Sequence, residues 1–232
     1  MAGGLPAGFF EKQQTAEDPT ARPEALALLA ADSDSDVRKA AAGNPSTPVE
    51  ALAGLAEDPV ALVRRFAAAN PSCPGGVLAR LAGDADLEVR YFTAGNESTP
   101  PEVLAGLATD RGPDRGPGGD FAALTFSGAE VRGRAAQNPS CPAEVLDRLA
   151  GDDSGPMRVT VAGNPSTPPA TLHRLAGDSD PEVRWAVAVR SGLPAGVLAA
   201  LAADPDSGVR AAARSNRGFA GAEAAHAGLV VD

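Results

Sequence analysis

Residues 44–70, NPSTPVEALAGLAEDPVALVRRFAAAN, begin and end on the same residue type in the same setting. Asn44 recurs as Asn70, Asn96, Asn138, Asn164 and Asn216, with successive gaps of 26, 26, 42, 26 and 52 residues. The gap of 52 is two periods with Arg190 at the missing beat, and the gap of 42 is one period plus a 16-residue insertion. A fixed period of 20–50 residues marks stacked repeats rather than one globular fold. Within the quoted stretch, Thr47-Pro48-Val49-Glu50 reads as a helix start, with Thr47 as cap, Pro48 at the first helical position and Glu50 closing a capping box. Leu52 and Leu55 are three apart and share one helix face. Asp58-Pro59 reads as the cap of a second helix carrying Val63, Arg64, Ala67 and Ala68. That helix must stop at the next Asn-Pro, because the residue before proline avoids the helical region. Asp180-Pro181-Glu182 gives the same cap signal elsewhere, and no segment alternates as a strand would. The expectation is an all-α fold, an α-solenoid of about seven 26-residue two-helix repeats over residues 18–216. Residues 1–17 and 217–232 are expected to be caps or disordered tails, with Phe9 and Phe10 covering the first repeat, and 111–126 is the insertion.

Overlaying the repeats separates fixed phases from variable ones. A leucine followed by alanine recurs at Leu29, Leu55, Leu81, Leu107, Leu149, Leu175 and Leu201. An apolar residue precedes Arg38, Arg64, Arg90, Arg132, Arg158, Arg184 and Arg210, and an aspartate recurs at 32, 58, 84, 110, 152, 178 and 204. The pattern V-R-x-x-x-A-x-N-P-x-T-P-x-x-x-L-x-x-L-A-x-D resembles the leucine-rich repeat variant family over most of the chain. That resemblance implies alternating α and 3₁₀ layers wound into a right-handed superhelix. A founding member carries a cysteine-bound iron–sulfur cluster ahead of its repeats. This chain has no cysteine before Cys73 and departs from the family there.

Composition narrows the function classes. The net charge is −10 and the pI about 4.7, whereas phosphate recognition depends on clustered Lys and Arg. Nucleic acid is therefore a disfavoured partner. No run of 18 apolar residues is present, so no membrane span is expected. The stretch Met1–Phe10 has neither a basic residue nor a long apolar run, so it does not read as a secretory signal, and cytoplasm is the default location. Cys73 and Cys141 fill the phase of Thr47, Thr99 and Thr167. Two repeats put them about 20 Å apart by helix spacing, too far for a disulfide. His173 and His226 have no ligand-spaced companions. No metal, cofactor or catalytic constellation is expected, and the chain reads as a non-enzyme.

The arginine column has two readings. In-phase aspartates would neutralise it in a structural ladder, or the arginines would line a groove for anions. The asparagines read as a polar ladder that satisfies the turns. The two positions after each repeat arginine vary most. They run Lys39, Arg65, Tyr91, Gly133, Val159, Trp185, Ala211 and then Ala40, Phe66, Phe92, Arg134, Thr160, Ala186, Ala212. Tyr, Trp and Arg dominate interface energies, so Arg65, Phe66, Tyr91, Phe92, Arg134 and Trp185 are the candidate binding residues. The insertion offers Phe121, Leu124 and Phe126 besides. The function expected is a protein–protein interaction scaffold for an unknown protein partner. The alternatives are nucleic-acid binding through the arginine column and, by family analogy, an accessory role in a redox system.

Overall fold

The computed structural model describes residues 8–112, 127–216 and 218. It divides into two compact units, Met1–Ser140 and Cys141–Asp232. Phe121, Leu124, Phe126 and His226 lie outside the described residues.

Every described element is a helix. Those of the first unit are α1 (Phe9–Glu17), α2 (Pro23–Leu29), α3 (Ser35–Gly43), α4 (Val49–Leu55), α5 (Ala61–Ala69), α6 (Gly75–Leu81), α7 (Leu87–Gly95), α8 (Pro101–Leu107) and α9 (Gly128–Gln137). Those of the second are α10 (Ala143–Leu149), α11 (Gly155–Gly163), α12 (Pro169–Leu175), α13 (Pro181–Ala188), α14 (Ala195–Ala202) and α15 (Ser207–Ser215). Odd-numbered helices carry the arginine phase and even-numbered ones the paired leucines. Arginine helices stack on one another along each unit, α1 to α3 to α5 to α7 to α9 in the first and α11 to α13 to α15 in the second. Helices of two turns are marginal on their own. Their stability comes from the stack, where each unit buries its apolar stripe against the next.

The core follows the phases. Leu26 with Leu29, Leu52 with Leu55, Leu78 with Leu81, Leu104 with Leu107, Leu146 with Leu149 and Leu198 with Leu201 are all buried. Opposite them lie the valines before the repeat arginines and the alanine pairs such as Ala41-Ala42 and Ala67-Ala68. Small alanines let the arginine helices approach closely.

Three local expectations change in the structure. The even helices are α rather than 3₁₀: the Leu52 amide bonds the Pro48 carbonyl at 2.9 Å and the Ala56 amide the Leu52 carbonyl at 2.9 Å. The three-residue spacing typical of 3₁₀ geometry is confined to end turns such as Glu57 to Gly54 at 3.0 Å. The N-cap of α4 is Pro48, with no side-chain cap. Thr47 instead donates its hydroxyl backward to the Ala41 carbonyl at 2.5 Å, as Thr99 does to Thr93 and Thr167 to Val161. The N-cap of α5 is Val60, two residues past Asp58, because the Asp58 carboxylate is bonded to the Val60 amide and to Arg38. Asp180 does cap α13, accepting from the Glu182 amide at 2.9 Å.

The repeat register also begins one helix ahead of Asp18. In α1, Lys12 holds the arginine phase and pairs with Asp32 at 2.8 Å, and Ala16 is fully buried. Phe9 and Phe10 are exposed, Phe10 by 82%.

Candidate functional site

The repeat arginines are engaged by aspartates. Arg64 donates Nε to Asp84 Oδ2 at 2.7 Å and Nη2 to Asp84 Oδ1 at 2.9 Å, while Nη1 reaches the Asp58 carbonyl at 2.8 Å. The same fork joins Arg38 to Asp58, Arg90 to Asp110, Arg158 to Asp178 and Arg184 to Asp204. Bidentate guanidinium–carboxylate pairs are among the strongest polar contacts a protein makes. Each aspartate also accepts an amide two residues on, as Asp84 does from Asp86 at 2.8 Å. Burial pushes the carboxyls of Asp58, Asp84 and Asp110 up, yet the arginine and backbone hydrogen bonds outweigh it and hold them below the usual carboxylate range. For Asp178 and Asp204 the arginine hydrogen bond is the larger effect and the net direction is again down. Arg132 Nη1 donates to the Asp110 carbonyl at 2.7 Å, and Arg210 Nη1 to Asp204 at 2.7 Å.

The asparagines tie each turn to the previous one. Asn70 Nδ2 donates to the Ala42 carbonyl at 2.7 Å and to the Asn44 carbonyl at 2.8 Å, while its Oδ1 accepts from the Ser72 amide at 2.8 Å. Asn44, Asn96, Asn138 and Asn216 repeat the double donation, and Asn164 Oδ1 accepts from Ser166 at 2.7 Å. The first beat of this phase is Asp18, which accepts from the Thr20 amide at 2.8 Å. At the seventh, Arg190 Nη1 donates to Ala162 at 2.7 Å and also to Asn164. Arginine lacks the acceptor that would hold the amide two residues on. The turn there passes through Gly192 at φ +75°, a conformation open to glycine without strain.

The structure gathers five of the six candidate binding residues in the first unit. The Arg65 guanidinium carbon is 5.6 Å from the Phe66 ring centre and 5.5 Å from that of Phe92. Arg65 is ion-paired with Glu88. Tyr91 meets Phe92 edge-on, with centroids 5.6 Å apart at 85°, and Arg134 lies 5.6 Å from the Tyr91 ring centre. The result is one run, Phe66–Arg65–Phe92–Tyr91–Arg134, crossing α5, α7 and α9. All five are partly buried. Trp185 belongs to the second unit, on α13, and is 50% exposed.

Packing explains part of the variation. A Cβ on Gly43 would stand 2.9 Å from Phe66 Cδ1, and one on Gly95 would stand 2.3 Å from Arg134 Nε. Phe66 and Arg134 thus lie in notches left by a glycine at the end of the preceding arginine helix. Arg134 Nη1 bonds Gln137 at 3.3 Å, and Nε is buried with no hydrogen-bond partner. Sequence reasoning missed these glycines, together with Lys12, Asp18 and Glu88. The available signal was a glycine one period less three residues before a large side chain.

The remaining chemistry is sparse. Burial pushes the Cys73 and Cys141 thiols up to about 11, so both are protonated at neutral pH. His173 is exposed. Among the described residues no group of three or more His, Cys, Asp or Glu is placed to hold a metal ion, and no helix is long and apolar enough to cross a membrane.

A leucine rich repeat variant model matches residues 36–60, 61–86 and 181–206, and a Leucine Rich Repeat Variant domain model matches 132–191. Together they span more than half of the chain. A solved structure described as a leucine-rich repeat variant with a novel repetitive protein structural motif is 27% identical, with a TM-score of 0.56, covering 89% of this chain and 82% of that one. An engineered protein aligns over 88% of this chain and 72% of its own at 19% identity and a TM-score of 0.41. No curated protein sequence matches.

Proposed function

The chain belongs to the leucine-rich repeat variant family, and from that premise we propose that it is a non-catalytic scaffold binding a partner protein through the variable surface of its arginine helices. The observation that carries this reading is the run from Phe66 to Arg134. Tyrosine, arginine and neighbouring aromatics are the groups that anchor protein interfaces. Here they are braced by one another and by Glu88, so little side-chain freedom remains to be lost on binding.

The fixed arginines give less support to a nucleic-acid role. A phosphate would have to displace a bidentate aspartate at Arg38, Arg64, Arg90, Arg158 or Arg184. The redox alternative rests on family analogy alone, and the two cysteines within the repeats are buried with raised pKa values.

Affinity capture from native lysate with the full chain, compared with Tyr91→Ala and Arg134→Ala, tests the proposal. Each variant should lose about 2 kcal/mol or more of partner affinity. Folding should weaken by only about 1 kcal/mol, the worth of a cation–π contact. Equal capture by wild type and both variants rules this surface out. Duplex DNA or RNA should bind at about 10⁻⁴ M or weaker at physiological salt; sub-micromolar, salt-dependent binding would reverse the ranking of the two readings.

A further inference from the structure

The glycine notch occurs a third time, in the second unit, and there it is open. Gly163 ends α11 in the phase of Gly43 and Gly95, and a Cβ built on it meets nothing within 4 Å. The residue in the phase of Phe66 and Arg134 is Ala186, whose side chain is too short to fill the space. Beside Ala186 in sequence, Trp185 is 50% exposed, and Val189, the C-cap of α13, is 49% exposed. A bulky apolar surface is thus presented where the first unit has its own rings packed down.

A cation borders the same glycine. The two carbonyls that Arg190 Nη1 binds belong to Ala162 and Asn164, the residues on either side of Gly163. Its Nη2 reaches only the Pro165 carbonyl, at 3.4 Å. No carboxylate of the described residues forms an ion pair with Arg190, in contrast to Arg38, Arg64, Arg90, Arg158 and Arg184. Desolvation alone shifts this guanidinium, lowering its pKa. A partly buried positive charge held by carbonyl dipoles is complemented by an anion placed at its open edge.

We propose that the Gly163 notch, with Trp185, Val189 and Arg190, docks an acidic protein segment, seating one aromatic side chain in the notch as Phe66 sits against Gly43 and one carboxylate on Arg190. This rests on the scaffold reading and names the chemistry of a partner for the second unit. The chain supplies the template itself. In the first unit the notch takes a ring or a guanidinium from the next repeat, and with a cation already at the rim of the Gly163 notch, charge complementarity selects an aromatic ring flanked by acid.

Trp185 is the only tryptophan in the chain, so its fluorescence reports on the site. The probe is an acetylated, amidated peptide, Glu-Asp-Phe-Glu-Asp, titrated into the full chain. A saturable change is expected, weakened about tenfold or more when the peptide phenylalanine becomes alanine or its acids become lysines. Ala186→Phe, at a buried position, and Gly163→Leu, at an open one, fill the notch from within by separate routes and should each abolish the response, with a cooperative melt showing which variant folds. Arg190→Asn restores the residue of the other turns and should weaken the acidic peptide while preserving the fold. A flat titration, or an equal response from the alanine peptide or from whichever notch variant folds, overturns the proposal. A partner lost on Tyr91→Ala yet retained by Ala186→Phe would leave the scaffold reading standing and remove the notch from it. Peptide binding that survives Tyr91→Ala while Arg190→Asn and Ala186→Phe abolish it supports the notch independently of the first unit's surface.

Discussion

A single hydrogen atom separates the notches from the ordinary helix ends. At Gly43 a methyl group would run into Phe66, and at Gly95 into the Arg134 guanidinium, whereas at Gly163 it would meet open space. Alanine is favoured over glycine within helices by about 0.5–1 kcal/mol. Gly163→Ala should therefore stabilise the chain by up to that amount in urea titrations. Gly43→Ala gains the same backbone term and displaces a ring, so it should fail to stabilise. If the two variants melt alike, the notches are not packing features. The asparagine phase has a similar economy. One amide accepts within its own turn and donates twice to the turn before, a combination that neither aspartate nor arginine offers alone. Aspartate occurs at the first beat of this phase, where Asp18 is an acceptor, and arginine at Arg190, where the acceptor is missing and Gly192 takes up the turn.

At the scale of helices, the leucine phase should be the most sensitive to truncation. Leu104 is fully buried in α8, so Leu104→Ala should cost about 2–5 kcal/mol. In a stack with nearest-neighbour coupling, hydrogen exchange should rise first in α7, α8 and the helices against them. The arginine–aspartate forks make a prediction about acid. Their carboxyls are depressed in the folded state, so the unfolded chain binds more protons as pH falls below the ordinary aspartate value of about 3.9. Stability from the forks should be fully present above that pH and lost as pH drops through the depressed values. Asp84→Asn should flatten part of that slope in melting curves recorded against pH. These elements were legible in the sequence because a repeat supplies its own comparison: leucines, arginines and asparagines recur in phase, and phase determines which groups meet. The caps were less legible. Thr47 gives its hydroxyl to a carbonyl six residues back, and Asp58 divides its carboxylate between the Val60 amide and Arg38, so neither side chain caps the helix that follows. The candidate surface was legible as a list of residues but not as packing. The glycine beneath Phe66 lies 23 residues upstream, and nothing at position 66 itself announces it.

Across the whole molecule, the 16-residue insertion tests how register is kept. Asn138 still reaches the carbonyls of Ala94 and Asn96 at 2.9 and 2.8 Å, although it lies 44 and 42 residues away from them in sequence. Arg132 still closes on the Asp110 carbonyl. Register is therefore set by bonds between neighbouring turns, not by the length of chain between them. Doubling a loop costs only about 0.6 kcal/mol of closure entropy. Lengthening residues 113–126 with glycine and serine should leave the melting transition nearly unmoved, while a shift of several kcal/mol would assign that segment a packing role. The other junction of each repeat has no such latitude. Between an arginine helix and the following leucine helix, the asparagine must reach the amide two residues on, and the threonine must reach a carbonyl six residues back. One added residue breaks both. Insertions and deletions among relatives should accordingly accumulate at alternate junctions, after the leucine helices and not after the arginine helices. The chain would thus carry, in every 26 residues, one site where evolution edits length freely and one where it cannot.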